Sequence, residues 1–359
     1  MVDSMKKQAD RGGSPIVERR ARLEDVARLA GVSPTTVSRA LRNDARISEN
    51  TRVSVQHAAN RLGYIPDARA SSLRGRATST IGLLLPDVAD PMHGQFAMAV
   101  EQAASAQGYT VLLANGISDP VQERQALQVF TAQRADGIVL VGSMLSPQEA
   151  KSLVGPCPVV LVGGENVSLA GYKNELPTGS IRVDDISGMV AVVEHLRECG
   201  YTRVAYVNGP DLASNFTRRD AALSALANAG ITSALYPYPG GVESLGALNA
   251  TVSTLVADRP QALICYDDVE ALGIMDALRS RGVRVPDDIA IVGFDDIPFA
   301  GIANPRLTTV AQPSEEVGRS AFAMLLAGLK TGELPPSISL PVRLMVREST
   351  KNVADSTGS

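Results

Sequence analysis

Two hydrophobic rhythms divide this 359-residue chain. Between Leu23 and Gly63, apolar residues recur at three- and four-residue spacing in short runs, the period of small helices. From Ile81 onward, near-continuous apolar runs return at intervals of roughly 25–30 residues. They are "IGLLLPD", "YTVLLAN", "DGIVLVG", "PVVLVGG", "SIRVDD", "RVAYVNG", "QALICYDD" and "IAIVGFDD". Amphipathic helical stretches lie between them, for example over 93–107, 119–133, 187–199, 217–229, 268–281 and 314–330. Buried strands alternating with helices predict parallel sheets covered on both faces. The number of such units exceeds one compact open sheet, so the pattern predicts two doubly wound lobes.

The first rhythm has a finer reading. In "LEDVARLAGVSPTTVSRALR", Leu23, Val26, Ala27 and Ala30 mark one helix face. Gly31 suits a turn that needs positive φ. Ser33 is a good N-cap and Pro34 a good first helical residue. Val37, Ala40 and Leu41 then face back onto the first helix. Thr35, Thr36, Ser38, Arg39 and Arg42 are left on the outer face. This is the pattern of a helix-turn-helix, and small hydroxyls with arginine at the start of its second helix suit the DNA major groove. A third helix follows, capped by Ser48, with Val53, Ala58 and Leu62 as its apolar side and Gly63 at its end.

Charge sharpens the division. Residues 1–76 carry 15 Lys and Arg against 8 Asp and Glu, a net +7, while the remainder carries 19 against 30, a net −11. A basic head on an acidic body implies that only the head meets a polyanion. Residues 1–21 and 351–359 are polar and aperiodic and read as disordered tails. The junction "RASSLRGR", residues 69–76, is too short for a stable helix alone and too basic for a core.

Several body strands end in a polar residue: Asp87, Asn115, Asp184, Asn208, Asp267 and Asp295. In open α/β sheets ligands bind at the carboxyl ends of strands, which makes these site candidates. Asp and Asn there also cap following helices, so both readings stand at this point.

Other classes find little support. The chain has no GxSxG, P-loop, HExxH or CxxC motif and no GxGxxG after a strand, so an enzyme reading lacks its chemistry. The acidic pairs Asp267–Asp268 and Asp295–Asp296 have no histidine beside them to make a metal site, and no cofactor is expected. A transport binding protein would need a signal peptide, and the N-terminus has no apolar h-region. No apolar run is long enough to span a membrane. Cys157, Cys199 and Cys265 are widely spaced, which fits a reducing compartment, and the expected location is cytoplasmic.

The motifs "DVARLAGVSPTTVSRAL", "ISENTRVSV", "LGYIP", "SSLRG", "IGLLLPD", "GIMDALRSRGVRVPDDIAIVGFDD" and "PRLTTVAQP" together resemble the lac repressor and galactose repressor family of bacterial transcription regulators. The resemblance runs from about residue 22 to 350. It implies an all-α helix-turn-helix head (22–65), joined by a hinge helix and linker (66–78) to a body like a periplasmic sugar-binding protein (79–350). The implied N-lobe is 79–180 and 313–339, and the C-lobe 181–312 and 340–350. The resemblance implies a homodimer that reads a pseudo-palindromic operator, most often as a repressor, and answers to a small effector held between the lobes.

On DNA, the resemblance makes Thr35, Thr36 and Arg39 base-contacting residues and puts Ser33, Ser38, Arg46 and Tyr64 near the backbone. Arg22, where relatives usually have Thr, could add a phosphate contact. The hinge helix, Asp67 to Arg74, would fold on the operator, with Leu73 as a wedge in the minor groove. For the effector, it matches Arg219 to the family's ligand-binding arginine, with Asp295 and Asp267 at strand ends and Asp90, Met92 and His93 on the loop after the first strand. Two departures stand out: Gly163 where some relatives have a sugar-facing acid, and Gly241 where a stacking aromatic is common. They suit a polyol, an amino-bearing ligand or something larger than a hexose better than a plain pyranose, and they leave a regulator that answers to a protein partner as an alternative. No leucine heptads follow the body, so the expected assembly is a dimer and not a tetramer.

Overall fold

The computed structural model describes residues 21–64, 77–163, 179–237 and 245–351. The chain divides into two units, residues 1–76 and 77–359.

In the first unit, α1 (Leu23–Ala30), α2 (Pro34–Ala40) and α3 (Glu49–Arg61) close on one small core. Gly31 ends α1 at φ 69°, the left-handed turn expected of it. The Ser33 hydroxyl accepts from the Thr36 N–H at 3.1 Å, and Pro34 opens α2 where no N–H is needed. Val26, Val37, Ala40, Val55, Ala58 and Ala59 are buried together. The apolar side of α3 differs from expectation. Val53 is 59% exposed and Leu62 is exposed, while Val55 and Ala59 take the core positions. The core face of α3 runs through 55, 58 and 59, an i, i+3, i+4 set, and 53 lies off that stripe.

The second unit contains two six-stranded sheets. The first is built from β1 (Thr80–Leu85), β2 (Thr110–Asn115), β3 (Gly137–Val141), β4 (Val159–Val162), β5 (Ser180–Val183) and β11 (Ile338–Leu340), in the order β11-β5-β4-β3-β1-β2, all parallel. The second contains β6 (Arg203–Val207), β7 (Thr232–Tyr236), β8 (Ala262–Cys265), β9 (Ala290–Asp295), β10 (Thr308–Ala311) and β12 (Arg343–Met345), in the order β12-β10-β9-β8-β6-β7. Only β12 runs antiparallel.

Helices α4 (Pro91–Ser105), α5 (Pro120–Ala132), α6 (Pro147–Val154) and α11 (Ser314–Thr331) cover the first sheet. Helices α7 (Asp185–Glu198), α8 (Ala213–Asn228), α9 (Leu245–Asp258) and α10 (Asp268–Arg279) cover the second. Helices α6 and α9 fall where the periodicity named none. The Gly318 backbone lets α11 lie directly on α4: a Cβ there would meet the Ala99 Cβ at 2.7 Å.

The chain crosses between lobes three times: from β5 to α7, from β10 to α11, and from β11 to β12. The expected border at 180/181 would cut β5, yet β5 lies wholly in the first sheet, because the Asp184 cap, not the end of the apolar run, starts the second lobe. The hinge helix, Leu73 and Gly241 lie outside the described residues. Among the described residues, no helix is long and apolar enough to cross a membrane.

Candidate effector cleft and DNA-reading helix

The crossovers gather buried polar groups at the carboxyl ends of the strands. Arg218, on α8, is 4% exposed. Its Nε donates to Asp185 Oδ1 at 2.8 Å and its Nη1 to the Tyr266 carbonyl at 2.9 Å. Its guanidinium lies 3.7 Å over the Phe294 ring, and Asp295 Oδ1 is 3.7 Å away. Burial works against the charge, but Asp185, Tyr266 and Asp295 outweigh it and hold the guanidinium protonated. Asp185 opens α7 just after the first crossover. Asp295 accepts from Gln312 Nε2 at 2.5 Å, just before the second. One chain of contacts, Asp185–Arg218–Asp295–Gln312, buried at Arg218 and Asp295 and half-buried at its ends, therefore joins two of the three crossovers.

The wall around this chain is held from below. Ser214 Oγ and the Tyr266 hydroxyl are 2.8 Å apart. Tyr266 lies so close over Gly209 that a Cβ there would sit 2.2 Å from the ring. Asn215 exchanges hydrogen bonds with both backbone groups of Gly209.

These groups enclose a cavity of about 70 Å³. The first lobe contributes Met92, His93, Phe96, Val141, Val162, Ile181 and Val317, and the second Leu212, Ser214, Arg218 and Tyr266. Gln312 and Ser314 enter from the crossover. A second, more polar space of about 180 Å³ shares Gly163, Arg182, Asp185 and Ser214 with it. A larger groove of about 800 Å³ lies over α7 and α8. It is open and away from the strand ends, so the smaller inner cavity, where buried polar groups converge, is the candidate site.

The expected cleft residues fare unevenly. Met92 and His93 are on the wall; His93 Nδ1 lies 2.8 Å from the Asp87 carbonyl. Asp90 and Asp267 serve as caps: Asp90 Oδ1 accepts from the Met92 N–H and Asp267 Oδ1 from the Glu270 N–H. Neither is on the wall, nor is Asp295, but the three carboxylates act on one another. Burial first, then the neighbouring acids Asp90 and Asp267, push Asp295 well above the ordinary range against the pull of Arg218. Burial raises Asp267 to about 6, with Asp90 adding to the effect. Asp184 caps α7.

Arg219 must be corrected. Its guanidinium turns to the adjacent Asp220 at 2.8 Å and lies 5.1 Å over Phe216. It is not among the residues that line the cavity. Successive residues on a helix are rotated by roughly 100°, so one step along α8 exchanges the interior for the surface. Arg218, read from sequence as a surface neighbour, is the buried arginine. Arg218, Tyr266, Ser214, Gln312 and Ser314 were absent from the expected set. Tyr266 directly follows β8, where the strand-end rule points; the others have no signal in local pattern. Gly163 has φ +68°, and a Cβ there would meet no atom of the described residues within 4 Å.

In the first unit, Thr35 and Arg39 are exposed on α2, while Thr36 and Ser38 are half-buried. The Thr36 hydroxyl is 2.9 Å from Ser33 Oγ, so both are partly engaged in capping. Arg46 forms a two-pronged pair with Asp44, Nε to Oδ1 at 2.9 Å and Nη2 to Oδ2 at 2.7 Å. Those hydrogen bonds hold Asp44 well below the usual carboxylate range. Tyr64 packs on the small core beside Ile47, and its N–H donates to the Ala59 carbonyl. The Arg22 N–H donates to Asp25 Oδ2 at the start of α1.

Comparison with known proteins agrees with both units. Residues 22–67 match the model of bacterial regulatory proteins of the lacI family, and residues 193–350 match that of the periplasmic binding protein-like domain. The chain is 32% identical over 341 residues to the HTH-type transcriptional regulator DegA of Bacillus subtilis, covering 91% of this chain and 97% of that protein. It is 35% identical over 325 residues to the regulator GalR of Escherichia coli, covering 88% and 91%. The lac repressor dimer bound to operator and the anti-inducer ONPF superposes with a TM-score of 0.80 at 26% identity, over 93% of this chain and all of that one. The complex of the regulator CelR with cellobiose gives 0.66 at 29% identity, over 92% and 100%. These relatives are transcription regulators and not enzymes. A helix-turn-helix with an arginine-bearing second helix, two periplasmic-binding-protein-like lobes and full-length similarity to such regulators lead to one conclusion: this chain belongs to the lacI family of DNA-binding transcription regulators.

Proposed function

We propose that the chain represses transcription as a homodimer on a pseudo-palindromic operator, and that a small polar metabolite, a sugar, polyol or related compound, bound between the lobes sets its operator affinity. The observation that carries this reading is the Asp185–Arg218–Asp295–Gln312 chain, of which Asp185, Arg218 and Gln312 line the inner cavity and Asp295 lies behind them. It supports a ligand space beside two of the crossovers about which the lobes would move. At roughly 10–15 Å³ per water, about 70 Å³ holds only about five to seven waters. A sugar must therefore part the lobes or extend into the outer space, and either moves the crossovers. The ligand then acts through its different affinity for the two arrangements.

Both sheets end on strands that suit a partner copy. Leu113 on β2 and Leu235 on β7 are exposed, as are Met98 and Val121 on the neighbouring α4 and α5. Unpaired apolar strand edges are a liability in a monomer. The ligands present in the lac repressor and CelR structures support a small effector here by analogy. Leu73, outside the described residues, is assigned the minor-groove wedge of the hinge; Leu73→Ser should leave the operator unbent in a circular-permutation gel, and retained bending would reject that role. The whole reading is tested by selecting sites from random duplexes with the purified protein, then screening metabolites for release from the selected site. A two-fold-symmetric site and a releasing or tightening metabolite are expected. Asymmetric sites, or control only by another protein, would overturn it.

A further inference from the structure

Ser314 opens α11 at the second crossover and lines the inner cavity. It is 6% exposed, and its Oγ has no hydrogen-bond partner among the described residues, although its backbone N–H reaches the Gln312 carbonyl at 2.9 Å. Buried hydroxyls are nearly always satisfied, because losing water without replacement is costly. The other polar side chains on the opposite wall are already engaged: Ser214 with Tyr266, and Arg218 with Asp185. The first-lobe wall is mainly apolar, with Phe96, Val141, Val162, Ile181 and Val317, and carries His93 and Arg182 as its polar side chains. The cavity thus opposes a hydrogen-bonding side in the second lobe to a largely apolar side in the first, with the Ser314 hydroxyl at the crossover without a partner among the described residues.

We propose that Ser314 is a specificity-determining contact that exchanges one hydrogen bond with the effector, and that the effector is a sugar or polyol whose edge on that side carries one oxygen beside C–H or methyl groups, as in a deoxy sugar. This rests on the effector reading above and narrows it. A fully hydroxylated edge would lose several hydration bonds against Phe96 and the valines and regain one. A deoxygenated edge loses one and regains one, while its methyl or methylene packs on the wall. The assignment also explains why α11 begins with a serine that caps nothing: Pro313 precedes it and no side chain closes that helix end.

The experiment uses the full chain and matched pairs: D-galactose and 6-deoxy-D-galactose, D-glucose and 6-deoxy-D-glucose, L-mannose and L-rhamnose, D-ribose and 2-deoxy-D-ribose. Melting temperature is followed against sugar concentration, since a ligand of the folded state stabilises by mass action. In at least one pair the deoxy member is expected to bind wild type more tightly than its parent. Ser314→Ala should weaken that ligand roughly three- to tenfold, the worth of one net hydrogen bond, and Ser314→Thr should restore part of the loss. In parallel, Ser314→Cys should react with methyl methanethiosulfonate and be shielded by the bound sugar. Tighter binding of the parents, or unchanged affinity in Ser314→Ala with no shielding of Ser314→Cys, overturns the assignment and leaves the effector reading standing. If no sugar binds wild type while Ser314→Cys reacts freely, the sugar-type effector itself is wrong, and this inference falls with it.

Discussion

Arg218 Nε and Asp185 Oδ1 lie 2.8 Å apart where the chain passes from the first lobe to the second. Arg218 is buried and Asp185 half-buried, and the buried Asp295 stands on the far side. Removing one partner of a buried ion pair leaves an uncompensated charge, which costs about 3–5 kcal/mol. Arg218→Ala is therefore expected to destabilise the body by that order in urea unfolding and to abolish effector response. Arg219→Ala, with its guanidinium on the surface partner Asp220, should stay within about 0.5 kcal/mol of wild type and keep its response. A response lost in Arg219→Ala and kept in Arg218→Ala would reverse the correction made above.

On α2 the cap and the reading face separate in the same way. Ser33 stabilises the helix through the Thr36 N–H, and Arg39 is exposed on the outer face. Ser33→Ala should cost about 1 kcal/mol of local stability, visible as faster amide exchange across residues 34–40. Arg39→Ala should leave exchange unchanged but remove about 1–3 kcal/mol of preference for the selected site over random DNA. Equal losses on both DNAs would make Arg39 a phosphate contact instead.

Arg46 stands ready for a phosphate but is held by Asp44. If it exchanges that carboxylate for DNA, Arg46→Ala should lower the slope of log affinity against log salt by about 0.9. Asp44→Asn should raise non-specific affinity. A salt slope untouched by Arg46→Ala would mean the pair persists on DNA.

The sequence made the layers and the head legible because each rests on local rules. Val26, Ala27, Gly31, Ser33, Pro34 and Val37 each follow from spacing or capping, and the structure uses each as the pattern suggests. The strand ends were equally visible, since apolar runs stop where Asp184 or Asp267 begins. What local pattern cannot show is rotation about a helix. Arg218 and Arg219 differ by one position, yet one is buried and the other partly exposed, and only packing of α8 against α7 and the second sheet decides which goes inward. Short helices hide for a related reason. Only Ala150 and Val154 of α6 are buried, too few to set a period. Gln312 and Ser314 gain their roles from a crossover that brings together residues more than a hundred positions apart.

Beneath the cleft, Asp268 is fully buried; its Oδ1 accepts from Thr309 Oγ1 at 2.5 Å and its Oδ2 from the Ile297 N–H at 2.9 Å. Burial raises this carboxyl to about 8, with the Thr309 and Ile297 hydrogen bonds pulling the other way. The folded form therefore keeps a proton that the unfolded chain, near its ordinary 3.8, has released. Stability falls wherever the folded state binds more protons, so this contribution is present below about pH 4 and lost as pH rises through about 8. Glu270 and Asp295 are raised by burial too and act in the same sense. The body should unfold at lower urea concentration at pH 8 than at pH 6. Asp268→Asn is close in shape to the protonated acid, with an amide for Thr309 and a carbonyl for Ile297. It should fold, lose no more than about 1 kcal/mol at pH 5, and show a shallower decline toward pH 8, at most about 1.4 kcal/mol less per pH unit. Identical slopes in the two proteins would show that Asp268 is ionised in the folded state, with Thr309 and Ile297 prevailing over burial.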